Sequence, residues 1–197
     1  MIGVIDYGAG NLKSIVNGLS KAGAQTRVVS SPEELASSDA IVLPGVGHFG
    51  DAMTRLAPLS ECILKETSSG KPFLGLCLGV QVLFESSEEA PSVAGLGILK
   101  GSCKRFSPSV GKVPHMGWND VTIRKKVPLL EDLPERFFYF VHSYYAEPAD
   151  DVVAASCDYG ISFPAVVAQK NTYACQFHPE RSGKAGLRIL ENFVGIV

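Results

Sequence analysis

Four short apolar segments that alternate with helical patterns constrain the fold of the first half of this chain. The segments are IGVIDYG (residues 2–8), TRVVS (26–30), AIVLPGVG (40–47) and PFLGLC (72–77). Strands that are apolar on both faces are typical of a parallel sheet covered by helices on two sides. Apolar residues at helical spacing predict helices near residues 12–22, 50–56 and 59–69, and another from residue 78 to 85. We therefore predict an α/β fold.

The pattern changes after about residue 95 to short strand-like pieces separated by Pro, Gly, Asn and Asp. Such spacing is typical of hairpins, and we expect them to extend one edge of the sheet in an antiparallel manner. The last 16 residues, SGKAGLRILENFVGIV, read as an amphipathic helix. Because no repeat, linker or low-complexity segment interrupts the chain, residues 1–197 are predicted to form one domain.

Composition narrows the class of protein. The chain of 197 residues is 46% hydrophobic and 19% charged, which suits one soluble domain with a full core. The net charge is −2, and the only basic run is Arg124 to Lys126. Neither nucleic acid nor an anionic membrane is therefore an expected ligand, and a small neutral or zwitterionic substrate fits better.

Targeting signals and cysteine usage point to the cytoplasm. The start MIGVIDYG lacks a basic leader, and no apolar run approaches the roughly 18 residues of a membrane span. The five cysteines are odd in number and show no C-x-x-C spacing. We expect free thiols in a reducing compartment, and neither a metal nor a cofactor.

The segment FLGLCLGVQ places Cys77 where a strand is predicted to end and a helix to begin. Gly75 and Gly79 would let backbones approach closely at such a turn, as in a nucleophile elbow with cysteine in place of serine. The N–H groups at the start of the helix would favour the thiolate. A small buried core cysteine is the alternative interpretation.

A cysteine nucleophile needs a base, and the chain has four histidines: His48, His115, His142 and His178. Only His178, in QFHPE, has an acid placed to orient it. Because Pro179 favours an extended conformation before it, Glu180 would project to the same side as the His178 ring. The pattern predicts a Cys77, His178, Glu180 triad, and a purely structural histidine is the alternative.

Two further features could complete a site for acyl transfer. The loop LPGVGHFG follows a predicted strand, and the N–H of Gly47 or a neighbour, with that of Leu78, could stabilise an oxyanion. An ordinary glycine-rich turn is the alternative. Gln81 lies one turn after Cys77 and could bind a polar substrate or be a surface residue.

These motifs together resemble a known family. GLCLGVQ followed by QFHPE resembles the class I, triad-type glutamine amidotransferases. DYGAGNLKS, PGVGHFGDAM and KVPHMGWN narrow the resemblance to the glutaminase subunits of imidazole glycerol phosphate synthase, in histidine biosynthesis. It implies a flavodoxin-like sheet and glutamine hydrolysis through a glutamyl thioester on Cys77. His178 would protonate the departing ammonia and then activate water, with Glu180 orienting the ring.

The resemblance also implies further site residues. Gly45, Val46 and Gly47 would form the oxyanion loop. The amino-acid end of glutamine would be held by Gln81, Glu89, Ser143 and Tyr144. Glu89 can equally be read as a solvated charge, and Tyr144 as a core aromatic.

The implied partner is a (β/α)8-barrel cyclase that forms a heterodimer with the chain and receives ammonia through its interior. The residues expected to dock on it are Asn11, Met116, Trp118 and Arg181, which we call the docking face. Trp118 can also be read as a core aromatic. Where this chain has Arg181, the family often has lysine, which keeps the charge but changes the geometry of a salt bridge.

Three rival interpretations use some of the same residues. The glutaminase of another amidotransferase, such as the partner of pyridoxal phosphate synthase, would keep the triad but not DYGAGN or HMGWN. A thiol hydrolase with a cysteine elbow would lack the downstream H-P-E. A catalytically inactive binding module would not need the complete triad. We expect a glutaminase that works poorly without its partner.

Overall fold

Twelve strands and five helices make up the computed structural model, which describes residues 1–197. The strands are β1 Ile2–Ile5, β2 Thr26–Val29, β3 Ala40–Leu43, β4 Phe73–Leu76, β5 Ser86–Ser87, β6 Gly101–Arg105, β7 His115–Ile123, β8 Phe137–His142, β9 Tyr144–Pro148, β10 Val153–Asp158, β11 Ser162–Gln169 and β12 Thr172–Cys175. The helices are α1 Leu12–Lys21, α2 Pro32–Ala36, α3 Phe49–Ser68, α4 Leu78–Gln81 and α5 Gly183–Ile196.

Nine strands form the main sheet in the order β2-β1-β3-β4-β12-β11-β10-β7-β8. The first five are parallel, and the remaining four continue the sheet in an antiparallel manner. Strands β5, β6 and β9 form a small second sheet. The prediction of an α/β fold with a central parallel sheet and an antiparallel extension is confirmed.

Helices cover both faces of the central parallel strands β1, β3, β4 and β12, which explains why every residue of these four strands is buried. In β3, Val42 belongs to one buried cluster, whereas Ile41 and Leu43 belong to the cluster on the opposite face. Helices α1 and α5 contribute residues to the first cluster, and helices α2 and α3 contribute residues to the second. None of the helices has both the length and the apolar character that crossing a membrane requires.

Two predicted helix boundaries are wrong. The segments 50–56 and 59–69 form one helix, α3, with Pro58 inside it. Proline removes one backbone hydrogen bond, but Leu56 and Leu59 are buried on either side, so packing on the sheet keeps the helix continuous. Helix α4 ends at Gln81 because the carbonyls of the next four residues accept hydrogen bonds from the loop 95–99.

The position of β12 determines where the end of the chain lies. It pairs in parallel with β4, with Cys175 opposite Leu76. Residues that follow the two strands therefore meet at one edge of the sheet. This pairing brings segments about a hundred residues apart in sequence, those after Leu76 and after Cys175, to the same place.

The close approach of α4 to β3 gives a prediction for stability. A Cβ on Gly79 would lie 2.2 Å from the carbonyl oxygen of Leu43, which is backbone and cannot rotate away. Gly79→Ala is therefore expected to lower the free energy of unfolding by about 3 kcal/mol in urea denaturation, through overpacking. Gly195→Ala is the control, because a Cβ there meets open space. Equal stability of the two variants would contradict the tight contact.

Candidate active site

Cys77 occupies a strained turn between β4 and α4. Its backbone has φ 54° and ψ −108°, a left-handed conformation that residues other than glycine rarely adopt. A Cβ on Gly75 would lie 2.7 Å from the carbonyl oxygen of Gly79, so only glycine fits there. The N–H of Cys77 donates to the carbonyl of Cys175 at 2.8 Å, which fixes the turn to β12. The geometry is that of a nucleophile elbow.

The ring of His178 and the carboxylate of Glu180 form a buried pair. His178 Nδ1 lies 2.8 Å from Glu180 Oε1, and the side chains are 6% and 2% exposed. The N–H of His178 donates to the carbonyl of Tyr139, and its own carbonyl accepts from Ser182 Oγ at 2.6 Å. The other ring nitrogen, Nε2, is buried without a hydrogen-bond partner, and His178 lines the same cavity as Cys77.

Electrostatics favour a charged His178. Burial opposes the charged ring, but the neighbouring Cys77 and Glu180 outweigh it and raise the pKa of His178 to about 10. A positively charged ring beside Cys77 is the arrangement that activates a cysteine nucleophile. Helix α4 has only four residues, so its terminus contributes less to the electrostatics of this turn than a full helix would.

The oxyanion loop is arranged differently from the expectation. Gly45 is buried, Val46 and Gly47 are exposed, and the N–H of Leu78 donates to the carbonyl of Gly45 at 3.3 Å. The Leu78 N–H, one of the two predicted oxyanion donors, is therefore engaged by the loop that would supply the second donor. Two free donors do not coexist in this arrangement, and the oxyanion role of Gly45, Val46, Gly47 and Leu78 stays a prediction.

A cavity of about 270 Å³ opens beside Cys77 and His178. Its lining includes all four residues expected to bind the amino-acid end of glutamine: Gln81, Glu89, Ser143 and Tyr144. Val46, Gly47 and Leu78 also line it. The structure thus brings the predicted nucleophile, base, oxyanion loop and substrate-binding residues around one space.

The alternatives for Gln81 and Tyr144 are wrong. Gln81 is buried rather than on the surface, and its Nε2 donates to the carbonyl of Tyr144 at 3.2 Å and to Gln176 Oε1 at 3.3 Å. Glu89 is half-buried, and its Oε2 accepts from the N–H of Phe49 at 2.7 Å, at the start of α3. Tyr144 is half-buried at the cavity and not in the core.

Sequence reasoning missed a pair of buried histidines behind the cavity. His142 donates from Nδ1 to the carbonyl of Tyr144 at 2.8 Å, so its Nε2 must accept from His115 Nδ1 at 3.0 Å. Burial lowers the pKa of His142 to about 3 and that of His115 to about 4, so both rings are neutral. Their contact depends on the β7–β8 register, which pairs the two histidines.

The docking face is exposed. On β7, Met116 is 60% and Trp118 is 47% exposed, so the core interpretation of Trp118 is wrong. Arg181 lies over the ring of Tyr139, with Cζ 4.3 Å from its centroid. Asn11 is exposed and caps α1 by accepting from the N–H of Ser14.

One exposed aromatic was not foreseen in this region. Phe137 is 42% exposed and stacks on Trp118, with centroids 5.9 Å apart. An apolar patch of this kind, rimmed by a cation, is typical of a surface that binds another protein.

Comparison with known proteins identifies the class. Residues 3–196 match the family model described as glutamine amidotransferase class-I. A structure titled "Structure of PurLQS from Thermotoga maritima" superposes with a TM-score of 0.79 at 21% identity, over 99% of this chain and 97% of that one. A crystal structure of a glutamine amidotransferase gives 0.78 at 20% identity, over 98% of both chains. These two likenesses show the fold, and the family model shows that the chain is a class-I glutamine amidotransferase.

Curated relatives narrow the class. An imidazole glycerol phosphate synthase subunit HisH from Methanothermobacter thermautotrophicus is 53% identical over 100% of this chain and 99% of its own. The HisH of Methanocaldococcus jannaschii is 50% identical over the full length of both, and that of Desulfitobacterium hafniense is 50% identical over 98% and 93%. The chain belongs to the HisH subunits of imidazole glycerol phosphate synthase, so the assignments to another amidotransferase or a thiol hydrolase are wrong.

The raised pKa of His178 gives a prediction for stability against pH. The ordinary pKa is 6.5 and the folded value is about 10, so protonation of this ring stabilises the folded state. That stabilisation is fully present below pH 6.5 and is lost as the pH rises through about 10. The difference in free energy of unfolding between the wild type and His178→Asn should therefore become smaller as the pH rises from 7 to 10. A difference that stays constant over this range would contradict a charged His178.

Proposed function

We propose that this chain hydrolyses glutamine to glutamate and ammonia and delivers the ammonia to the partner subunit of imidazole glycerol phosphate synthase. The observation that carries the proposal is the meeting of Cys77 with the buried His178–Glu180 pair at the carboxyl ends of two parallel strands. Identity of 53% to a HisH subunit over the whole chain supports the choice of pathway.

In the proposed chemistry, Cys77 is the nucleophile and His178 is first the general acid and then the general base. The Cys77 thiolate attacks the carboxamide carbon, and the His178 imidazolium protonates the departing nitrogen, so that ammonia leaves and a glutamyl thioester forms. Neutral His178 then takes a proton from water, whose oxygen attacks the thioester carbon and releases glutamate and the thiolate. Glu180 holds the ring and stabilises its charge in both halves of the cycle.

Binding of the amino-acid end is assigned to one wall of the cavity. The Glu89 carboxylate would accept from the substrate ammonium, since the N–H of Phe49 engages only its Oε2. The Ser143 hydroxyl and the backbone near Tyr144 would contact the substrate carboxylate. Gln81 and His142 hold the Tyr144 carbonyl from two sides, so this part of the wall is preorganised.

The partner in this proposal is a (β/α)8-barrel cyclase in the cytoplasm, bound as a heterodimer through the docking face. Ammonia is mostly protonated in neutral water and is then not a nucleophile. A sealed passage between the subunits would keep it reactive. The exposed Trp118 and Phe137, with Arg181 nearby, supply the apolar and charged contacts that such an interface needs.

The engaged Leu78 amide implies that the free chain is slow. Oxyanion stabilisation by one donor contributes about 10²–10³ in kcat to acyl transfer. While Leu78 donates to Gly45, that contribution is withheld. The partner would then activate the chain by turning the loop 45–47, which frees the Leu78 N–H and directs a loop N–H toward the substrate.

Replacing the nucleophile separates the two activities of the complex. Cys77→Ala should abolish synthesis that depends on glutamine, because no thioester can form, while synthesis from added ammonium salts by the partner persists. Both are measured as product formed by the assembled heterodimer. Cys62→Ala is the matched control, because Cys62 is a partly exposed cysteine of α3 outside the cavity. Loss of both activities in Cys77→Ala would contradict the assigned roles.

Truncation of Trp118 tests the docking face. Trp118→Ala should raise the Kd of the heterodimer roughly 30-fold, which is a loss of about 2 kcal/mol in binding free energy. This is the effect expected for an aromatic anchor at the centre of an interface. Calorimetry with the purified partner measures it. Val28→Ala is the control, because Val28 is a similarly exposed apolar residue on the edge strand β2. An unchanged Kd for Trp118→Ala would place the partner on another surface.

A further inference from the structure

Tyr7 lies beside the oxyanion loop but has no role in the chemistry described so far. It follows β1, the loop 44–47 follows β3 and Cys77 follows β4, and these three strands are adjacent and parallel. All three segments therefore emerge at the same edge of the sheet. Tyr7 is only 8% exposed, so its ring is packed beneath the loop.

The Tyr7 hydroxyl faces the Gly45 residue directly. A Cβ on Gly45 would lie 3.0 Å from Tyr7 Oη, 2.7 Å from Leu78 Cβ and 2.8 Å from the backbone nitrogen of Gly79. Gly45 is thus enclosed between the phenol and the first turn of α4. The hydrogen bonds of the structure include none to Tyr7 Oη, and this oxygen is not one of the fully buried unpaired atoms, so the donor is available.

Activation of the loop creates a need for such a donor. When Leu78 N–H is released to the substrate, the Gly45 carbonyl loses the hydrogen bond that now satisfies it. Gly45 is buried, and a buried carbonyl without a partner costs free energy comparable to a lost hydrogen bond. The active arrangement is accessible only if another group donates a hydrogen bond to the Gly45 carbonyl.

We propose that the Tyr7 hydroxyl donates to the Gly45 carbonyl in the active arrangement and so acts as a positioning residue for the oxyanion loop. The inference rests on the proposed function and adds a residue to its regulation. Tyr7 would exchange with Leu78 as the donor to one carbonyl. The switch then costs little in either direction, because the carbonyl is satisfied in both states.

Two surrounding features suit Tyr7 to this task. Burial and the charge of Cys77 raise the pKa of Tyr7 to about 12, although Arg55 opposes the shift, so the phenol keeps its proton at neutral pH. Arg55 donates from Nη1 to the carbonyl of Gly8 at 2.8 Å, which holds the backbone next to Tyr7 in place.

The test is Tyr7→Phe in the heterodimer with the partner cyclase saturated with its nucleotide substrate. The hydroxyl is removed and the ring remains, so we expect kcat for glutamate release to fall roughly tenfold, the effect of one hydrogen bond to a buried carbonyl, with KM for glutamine unchanged. Alkylation of Cys77 by iodoacetamide needs no oxyanion stabilisation and should keep its wild-type rate. Tyr173→Phe is the matched control, since Tyr173 is also a buried tyrosine, 5% exposed, outside the cavity.

The other outcomes distinguish a failure of the role of Tyr7 from a failure of the proposed function. If wild type and Tyr7→Phe release glutamate at the same kcat, the role of Tyr7 is wrong while the proposed function stands. If the alkylation rate falls together with kcat, or Tyr173→Phe behaves like Tyr7→Phe, the hydroxyl is only structural and the inference is overturned. If the wild-type heterodimer releases no glutamate, the proposed function itself fails and the inference with it.

Discussion

The packing of the elbow against β3 is the constraint on which the rest of the site depends. Gly79 touches the carbonyl of Leu43, and Gly75 touches Gly79, with no room for a Cβ at either position. These contacts hold Cys77 at a positive φ that its side chain disfavours. They also set the distance between α4 and the loop after β3, and thereby whether the Leu78 N–H meets the Gly45 carbonyl or a substrate.

The second determinant is the insertion of β12 beside β4. Without that pairing, the His178–Glu180 pair would have no fixed relation to the elbow. The backbone bond from Cys77 to Cys175 and the bond from His178 to Tyr139 fix the two halves of the site to the same sheet. Cys77 and Glu180 are then held beside the His178 ring, which accounts for its raised pKa.

Much of this arrangement follows from local sequence, and some of it does not. The apolar runs reveal the parallel sheet because both faces are buried, and glycine spacing and H-P-E reveal Cys77, His178 and Glu180 because each needs a special local geometry. The His115–His142 contact was missed because it depends on strand register, which no local motif encodes. The continuity of α3 through Pro58 was missed because tertiary packing outweighs a local helix breaker. The Leu78–Gly45 bond joins two correctly predicted segments, but their relative orientation is a tertiary property.

In the proposed mechanism, one hydrogen bond between Leu78 and Gly45 restrains the Cys77, His178, Glu180 triad of the free chain. The most direct measurement is the rate of glutamate release from glutamine by the purified chain, first alone and then with the partner cyclase and its nucleotide substrate. We expect slow release by the free chain and a rise of orders of magnitude in the complex. Equally fast release in both conditions would show that the engaged Leu78 amide does not limit catalysis and that the partner does not activate the chain through this loop.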